Sequence, residues 1–322
     1  MCSFVGVDVS KKTLDFSWES EGKNYHHKIN NSDVGFKQFL KIVPKGSHVV
    51  MEATGIYHLR FANFLFLKKE KISVVNPLAI KRFGQMRMRR IKTDKADAAL
   101  IAEYASYEKP ELWKAPSDEM VEMRQLWGLS DKIKSSKQSY ANQLEAITKS
   151  FSSSKKAVSY IKKIIKELEI KIREIEKDIT EISRKAFPRE MEILESIPSI
   201  GVKTAAALIV TSNGFTGFKN GRNLCSFYGL TPQIYQSGTS LNSRGGITKM
   251  GNGRIRALLY MCSLTAISKN TGCKHTYERL VGKGKAKKLA LVAVIAKLVR
   301  QAVALIQKDE LFNEKKSFSA CA

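Results

Sequence analysis

The first stretch of the chain places one acid inside a run of apolar residues. Residues 4–9 have the β-branched density of a buried strand, and the polar turn Ser10-Lys11-Lys12 leads into a second run over 13–19, its antiparallel neighbour. Residues 25–29 suit a third strand and 34–42 a helix. The apolar run 48–52 predicts another strand, and a helix over 57–69 follows Ala53-Thr54-Gly55. Residues 71–75 form a strand that Asn76-Pro77 stops. A basic helical stretch and a helix over 93–105 complete the series before Lys109-Pro110 and Ala115-Pro116 mark a boundary. This order predicts an α/β layer, with antiparallel and parallel strands in one sheet and helices flanking it.

Past the boundary the period changes. From Val158 the apolar residues step by three and four through Ile161, Ile165, Leu168, Ile172, Ile175, Ile179 and Ile182, with Lys and Glu between them, until Pro188. This is a heptad seam rich in β-branched Ile, and it requires a partner helix. Two partners stay open: a helix of another subunit, making a coiled coil that sets oligomeric state, or the preceding helix over 120–151 of the same chain. From 190 onward the pattern is again helical. A Gly- and Ser-rich loop over 229–253 interrupts it, a strongly helical segment covers 254–306, and 314–322 read as a frayed tail. The organisation expected is α/β plus all-α: residues 1–115, a helical coiled-coil linker over 116–188, and a mainly helical domain over 189–322.

Charge narrows the function. The 322 residues hold 55 Lys and Arg against 30 Asp and Glu, a net charge of +25 at pH 7. A protein this basic meets a polyanion, most often nucleic acid, unless it is a basic structural protein of the ribosomal kind. No stretch reaches the roughly 18 uninterrupted apolar residues of a membrane span. The first residues run straight into a strand pattern and do not read as a signal peptide. The five cysteines are scattered and form no CxxC pair, which argues against a zinc site or a disulfide framework. These features predict a cytoplasmic protein with reduced thiols and no membrane partner.

The embedded acid is Asp8, in Val5-Gly6-Val7-Asp8-Val9. A carboxylate among β-branched apolar residues needs a cation, a basic partner or a metal. Glu52 ends a second apolar strand. Asp94 and Asp97, three positions apart, project from one face of a helix, just past the basic run Lys81, Arg82, Arg87, Arg89, Arg90 and Lys92. Taken singly, Asp94 after Thr93 is an ordinary first-turn acid, Asp97 a solvated face and Glu52 a strand end; only Asp8 resists such a reading. Together the four carboxylates can hold two divalent cations about 4 Å apart, and their hard oxygens suit Mg²⁺. That is the chemistry of phosphodiester cleavage and strand transfer.

Further along, Tyr235-Gln236-Ser237-Gly238-Thr239-Ser240 precedes a glycine-rich stretch in which Arg244, Lys249, Asn252, Arg254 and Arg256 are placed to contact nucleic-acid backbones. A serine in such a loop can attack phosphorus if its proton is removed. No histidine lies nearby, and Ser240 and Ser243 compete with Ser237; a phosphate-contacting loop without covalent chemistry is the alternative. Upstream, residues 194–205 have the look of a helix-hairpin-helix element, which offers backbone N–H groups to a DNA phosphate. Ser199 stands where the hairpin usually has its first glycine.

These motifs together resemble the DEDD transposases of the insertion-sequence 110 family along almost the whole chain. The N-terminal likeness rests on Gly6-Val7-Asp8-Val9-Ser10-Lys11, Glu52-Ala53-Thr54-Gly55-Ile56-Tyr57, Asn76-Pro77 and Lys92-Thr93-Asp94-Lys95-Ala96-Asp97-Ala98. The C-terminal likeness rests on residues 197–204, Phe227-Tyr228-Gly229-Leu230-Thr231-Pro232, Ser237-Gly238 and Lys249-Met250-Gly251-Asn252. The resemblance implies a RuvC-like, ribonuclease-H-like N-terminal domain with its tetrad on Asp8, Glu52, Asp94 and Asp97. It also implies a C-terminal transposase domain with its catalytic serine on Ser237, and Mg²⁺ as cofactor. Implied partners are DNA at the element ends and target, a non-coding guide (bridge) RNA, and further copies of the chain in a tetramer built from dimers. Thr248 and the spacing of Arg244-Gly245-Gly246 depart from the family pattern within the loop expected to grip phosphate. The rival readings are a two-metal junction-resolving nuclease that uses the tetrad without Ser237, and a non-catalytic nucleic-acid-binding protein.

Overall fold

The computed structural model describes residues 3–53, 55–88, 93–237 and 241–314, with backbone alone over 234–237 and 241–245. These residues divide into two units, Met1–Ala115 and Pro116–Ala322.

The first unit is built on a five-stranded sheet. Strands β1 (Phe4–Val9), β2 (Thr13–Ser20) and β3 (Lys23–Asn30) run antiparallel; β4 (His48–Glu52) and β5 (Lys71–Val75) run parallel to β1, giving the order β3-β2-β1-β4-β5. Parallel neighbours need crossovers, and helices α1 (Asp33–Ile42) and α2 (His58–Leu67) supply them. Strand alternation sets the two faces. Val5, Val7, Val9, Leu14, Phe16, Val49 and Met51 pack with Phe36, Phe39, Phe61 and Leu65 of α1 and α2. Burying each aromatic side chain here contributes on the order of 1.5–3 kcal/mol. On the opposite face, Val50 and Val75 pack with Ile80, Phe83, Leu100, Ile101 and Ala105 of α3 (Pro77–Met86) and α4 (Asp94–Glu108). Ser32, Asn76 and Thr93 cap α1, α3 and α4 through their side chains.

Gly6 determines how closely α4 approaches β1. A Cβ there would lie 2.2 Å from both the Ala98 carbonyl oxygen and the Ala102 nitrogen, so the helix backbone rests directly on the strand backbone.

The second unit opens with a pair of long helices, α5 (Asp118–Thr148) and α6 (Lys155–Ala186). The heptad seam of α6 finds α5 of its own chain: Ile161, Ile172, Ile175 and Ile179 are buried, and Ile165, Leu168 and Ile182 are half-buried. Lys134–Glu176 (2.5 Å) and Lys137–Glu169 (2.8 Å) pair across the two helices. The base of the pair shares one core with the helices that follow, through Met120, Met123, Ile175, Ile179, Met191 and Leu194. Those helices are α7 (Pro188–Ser196), α8 (Val202–Ser212), α9 (Gly221–Phe227), α10 (Gly253–Lys269), α11 (Thr271–Gly282) and α12 (Lys287–Lys308).

Within 229–253, expected as loop, lies an antiparallel hairpin of β6 (Pro232–Ser237) and β7 (Leu241–Ile247). Its strands are mostly Gly, Ser, Asn, Gln and Arg, with Ile234 and Ile247 as the β-branched residues, and an irregularity between Pro232 and Ile234 breaks the alternation, so the strand pattern is masked. Helix α12 is long and apolar enough to cross a membrane by length and composition, but half of that window is buried inside the protein. Lys297 and Arg300 interrupt its apolar run, and Val294, Leu298, Val299 and Val303 lie in the shared core.

Candidate active site

Register brings a line of charged residues across the sheet. Asp8 pairs with Asp15 on β2, and Asp15 pairs with Lys28 on β3. On the other side Val7 pairs with Met51, and Glu52 follows Met51 as Asp8 follows Val7 along the parallel strands. Directly paired residues share a face, so Asp8, Asp15 and Lys28 lie on the side covered by α4, as does Glu52 by its alternation with Val50. Helix α4 begins at Asp94; the Thr93 hydroxyl accepts from the Ala96 N–H (3.2 Å), and Asp94 and Asp97 occupy the first turn. The close approach at Gly6 holds this helix against β1, two positions before Asp8.

Electrostatics show the convergence. The Asp8 carboxyl is pushed up from 3.8 to about 6, first by burial and then by the charges of Asp97, Asp94, Glu52 and Asp15. A carboxyl whose acidity is suppressed first by burial and then by neighbouring carboxylates marks a site short of positive charge. The all-oxygen donor set suits a hard divalent cation such as Mg²⁺. As placed, no three His, Cys, Asp or Glu among the described residues form a ready metal cage. Positive charge comes instead from Lys28, whose Nζ lies 3.0 Å from Asp15 Oδ2 and 3.4 Å from Asp94 Oδ2. Its ammonium is held above the usual lysine range, chiefly by the hydrogen bond to Asp15. His26 Nε2 lies 3.1 Å from Asp15 Oδ1.

Asp15, Lys28 and His26 were not singled out from the sequence. The signal was present: Leu14-Asp15-Phe16 embeds an acid between apolar residues just as Val7-Asp8-Val9 does, and the short Ser10-Lys11-Lys12 turn fixes the two acids opposite each other.

The basic residues sort by their contacts. Arg87 pairs with Glu103 (3.0 Å) and stacks on Phe83 and Tyr107. Arg254 pairs with Asp131 on α5 and stands 6.0 Å from the centre of the Trp127 ring, and burial lowers its pKa. Arg256 donates to the Tyr228 carbonyl (2.9 Å) and the Gly251 carbonyl (3.2 Å). Asn252 caps α10, accepting from the Arg254 and Ile255 N–H groups. Arg82 and Lys249 are exposed. Arg89, Arg90, Lys92 and Ser240 lie outside the described residues, as does the Arg244 side chain.

Two glycines form a clasp beneath the hairpin. Gly229 (φ +67°) and Gly251 (φ +111°) let the two loops touch backbone to backbone: a Cβ at either would lie 2.2 Å from the Met250 or Phe227 carbonyl oxygen. The Lys249 N–H donates to Gly229 O (3.2 Å) and the Thr248 N–H to Thr231 O (2.9 Å). From this base β6 runs out to Ser237, which pairs with Leu241 at the far end; Ser243 sits further back, opposite Tyr235. Asp8, Glu52, Asp94 and Asp97 belong to the first unit and Ser237 to the second.

A basic charge and carboxylates converging on one sheet face suit a protein that acts on DNA strands, and comparison with known proteins gives the class as DNA transposase or recombinase. Residues 5–152 match the DEDD transposase profile of the IS110 type, and residues 191–278 match the profile described as transposase IS116/IS110/IS902 family. The chain belongs to the IS110 family of transposases. The pilin gene-inverting proteins of Moraxella bovis and Moraxella lacunata are each 26% identical to it over 323 residues, covering 97% of this chain and 98% of theirs. An insertion element IS110 protein of Streptomyces coelicolor, of 43.6 kDa, is 29% identical over 124 residues, which is 38% of this chain and 30% of that protein.

Proposed function

We propose that this transposase is an RNA-guided DNA recombinase that cuts and exchanges strands through a phosphoserine intermediate. The observation that carries the reading is the crowding of carboxylates around Asp8, whose acidity burial and four like charges suppress. The sheet order β3-β2-β1-β4-β5, with its first three strands antiparallel, fits a RuvC-like, ribonuclease-H-like domain. In this reading Asp8, Glu52, Asp94 and Asp97 hold Mg²⁺, which when bound supplies charge stabilisation at the phosphate. Ser237 Oγ forms the new bond to phosphorus as the bond to a deoxyribose oxygen breaks. The proton lost from serine ends on the leaving hydroxyl, and reversal onto a different strand end completes exchange. The hairpin carrying Ser237 stands on the glycine clasp, and α7, its turn and α8 suit a helix-hairpin-helix contact to a phosphate. Family resemblance supports a non-coding guide RNA and a tetramer built from dimers, in which tetrad and serine come together.

The confinement of the tetrad to one unit favours a second reading: hydrolysis of DNA junctions by two metals and water, without the serine. Trapping with substrate DNA and denaturing electrophoresis separates the two. The recombinase reading expects a covalent protein–DNA adduct with Mg²⁺ that Ser237→Ala abolishes. Full strand exchange by Ser237→Ala would overturn it.

A further inference from the structure

Lys28 sits on β3, a strand that contributes none of the four tetrad carboxylates, yet its ammonium reaches one of them. It bridges Asp15 Oδ2 (3.0 Å) and Asp94 Oδ2 (3.4 Å), joining the sheet to the first residue of α4. Its anchor is firmly placed: Asp15 is 4% exposed, and its other oxygen meets His26 Nε2 at 3.1 Å. Lys28 itself is half exposed, so its long side chain has open solvent to move into. A point charge on a flexible stem, fixed at one carboxylate and lying against another, neutralises without coordinating.

We propose that Lys28 is a positioning residue whose ammonium takes the cation's place beside Asp94 in the metal-free protein and is displaced when a divalent ion binds. The Asp15–Lys28 pair thereby sets the metal affinity of the site. This rests on the reading of Asp8, Glu52, Asp94 and Asp97 as metal ligands. The arrangement has two effects. It keeps the acidic first turn of α4 against an acidic sheet face when no metal is present. It also makes metal binding compete with an internal cation, because a group that must be released on binding lowers apparent affinity.

The plain structural reading is a staple between β3 and α4, and it predicts the opposite metal response. The test is Mn²⁺ binding to the full-length protein without nucleic acid, followed by calorimetry and by the loss of the free-ion paramagnetic resonance signal. Lys28→Met is expected to bind Mn²⁺ about tenfold tighter, the order of effect of removing one nearby, partly solvated charge. Lys28→Arg, which keeps the charge, is expected to stay near the unaltered protein. If Lys28→Met binds no tighter or more weakly, or if Lys28→Arg gains as much as Lys28→Met, the inference is overturned.

A second measurement needs no variant. In the unaltered protein, acetylation of Lys28 by acetic anhydride, read by peptide mass spectrometry against exposed Lys37, is expected to rise when Mg²⁺ is added. Unchanged reactivity overturns the inference. If the unaltered protein binds no Mn²⁺, the tetrad reading itself fails, and this inference fails with it; binding without a Lys28 effect leaves the tetrad reading intact.

Discussion

Ser199 has φ +87°, in the region that favours glycine, and its buried hydroxyl has no hydrogen-bond partner. It lies in the turn between α7 and α8, where a hairpin of this kind usually has glycine. The left-handed conformation and the orphaned hydroxyl both act against the fold. Ser199→Gly is therefore expected to stabilise the protein by about 1 kcal/mol, read as a shift in the denaturant midpoint at unchanged slope. Asp8 carries a different kind of cost. Its folded-state pKa of about 6 lies above the ordinary 3.8, so the folded protein binds this proton more tightly than the unfolded chain does. Its stabilising contribution is full below the unfolded value and is lost as pH rises through about 6. In EDTA, Asp8→Asn should thus raise Tm at neutral pH and flatten the loss of stability between pH 4 and 6. The same variant should lose any Mg²⁺-dependent rise in Tm. An Asp8→Asn protein that keeps full strand cleavage would remove Asp8 from the active site.

Elements explain why some of this was legible and some was not. The strands of the first unit announce themselves because their apolar runs are short and bounded by turn residues. The four acids proposed as ligands stood out because each interrupts or ends such a run or follows a helix cap, and the charges of Glu52, Asp94 and Asp97 do bear on Asp8. Asp15 escaped because its importance comes from register, which links residues on different strands, and Lys28 because an exposed lysine on an edge strand carries no pattern of its own. The β6–β7 hairpin escaped because composition hid its alternation. The seam of α6 showed that a partner helix was needed but not which; the fold supplies α5. At the contact of β1 with α4, Gly6 sets how closely the first turn of the helix can approach Asp8. Gly6→Ala would place a methyl group against two backbone atoms at 2.2 Å, so α4 must move. The expected loss is roughly 1–3 kcal/mol in chemical denaturation, the range for overpacking, together with weakened Mn²⁺ binding as Asp94 and Asp97 shift from Asp8. Unchanged metal binding in a folded Gly6→Ala protein would show that the approach of α4 does not build the site.

Across the whole molecule, the excess of positive charge hides two populations of basic residues. A net charge of +25 predicts DNA binding that weakens steeply with salt, because each phosphate neutralised releases counterions. The sequence placed Arg82, Lys249, Arg254 and Arg256 together as phosphate contacts, but their surroundings separate them. Arg254 is engaged by Asp131 and Trp127, and Arg256 by two carbonyls near the glycine clasp, whereas Arg82 and Lys249 are exposed. A side chain already held by protein groups gives up those partners if it turns to DNA, so its removal is felt first in the fold. Arg254→Ala leaves the partly buried Asp131 without that partner and is expected to cost about 1–2 kcal/mol of stability, with little change in the salt slope. Arg82→Ala and Lys249→Ala should barely move Tm. Each of the two that contacts a phosphate should lower the slope of log affinity against log salt by about 1. Binding isotherms across a salt series, paired with thermal melts of the same variants, separate the populations. If Arg254→Ala flattens the salt slope at unchanged Tm, its pairing with Asp131 yields to DNA and the division drawn here is wrong.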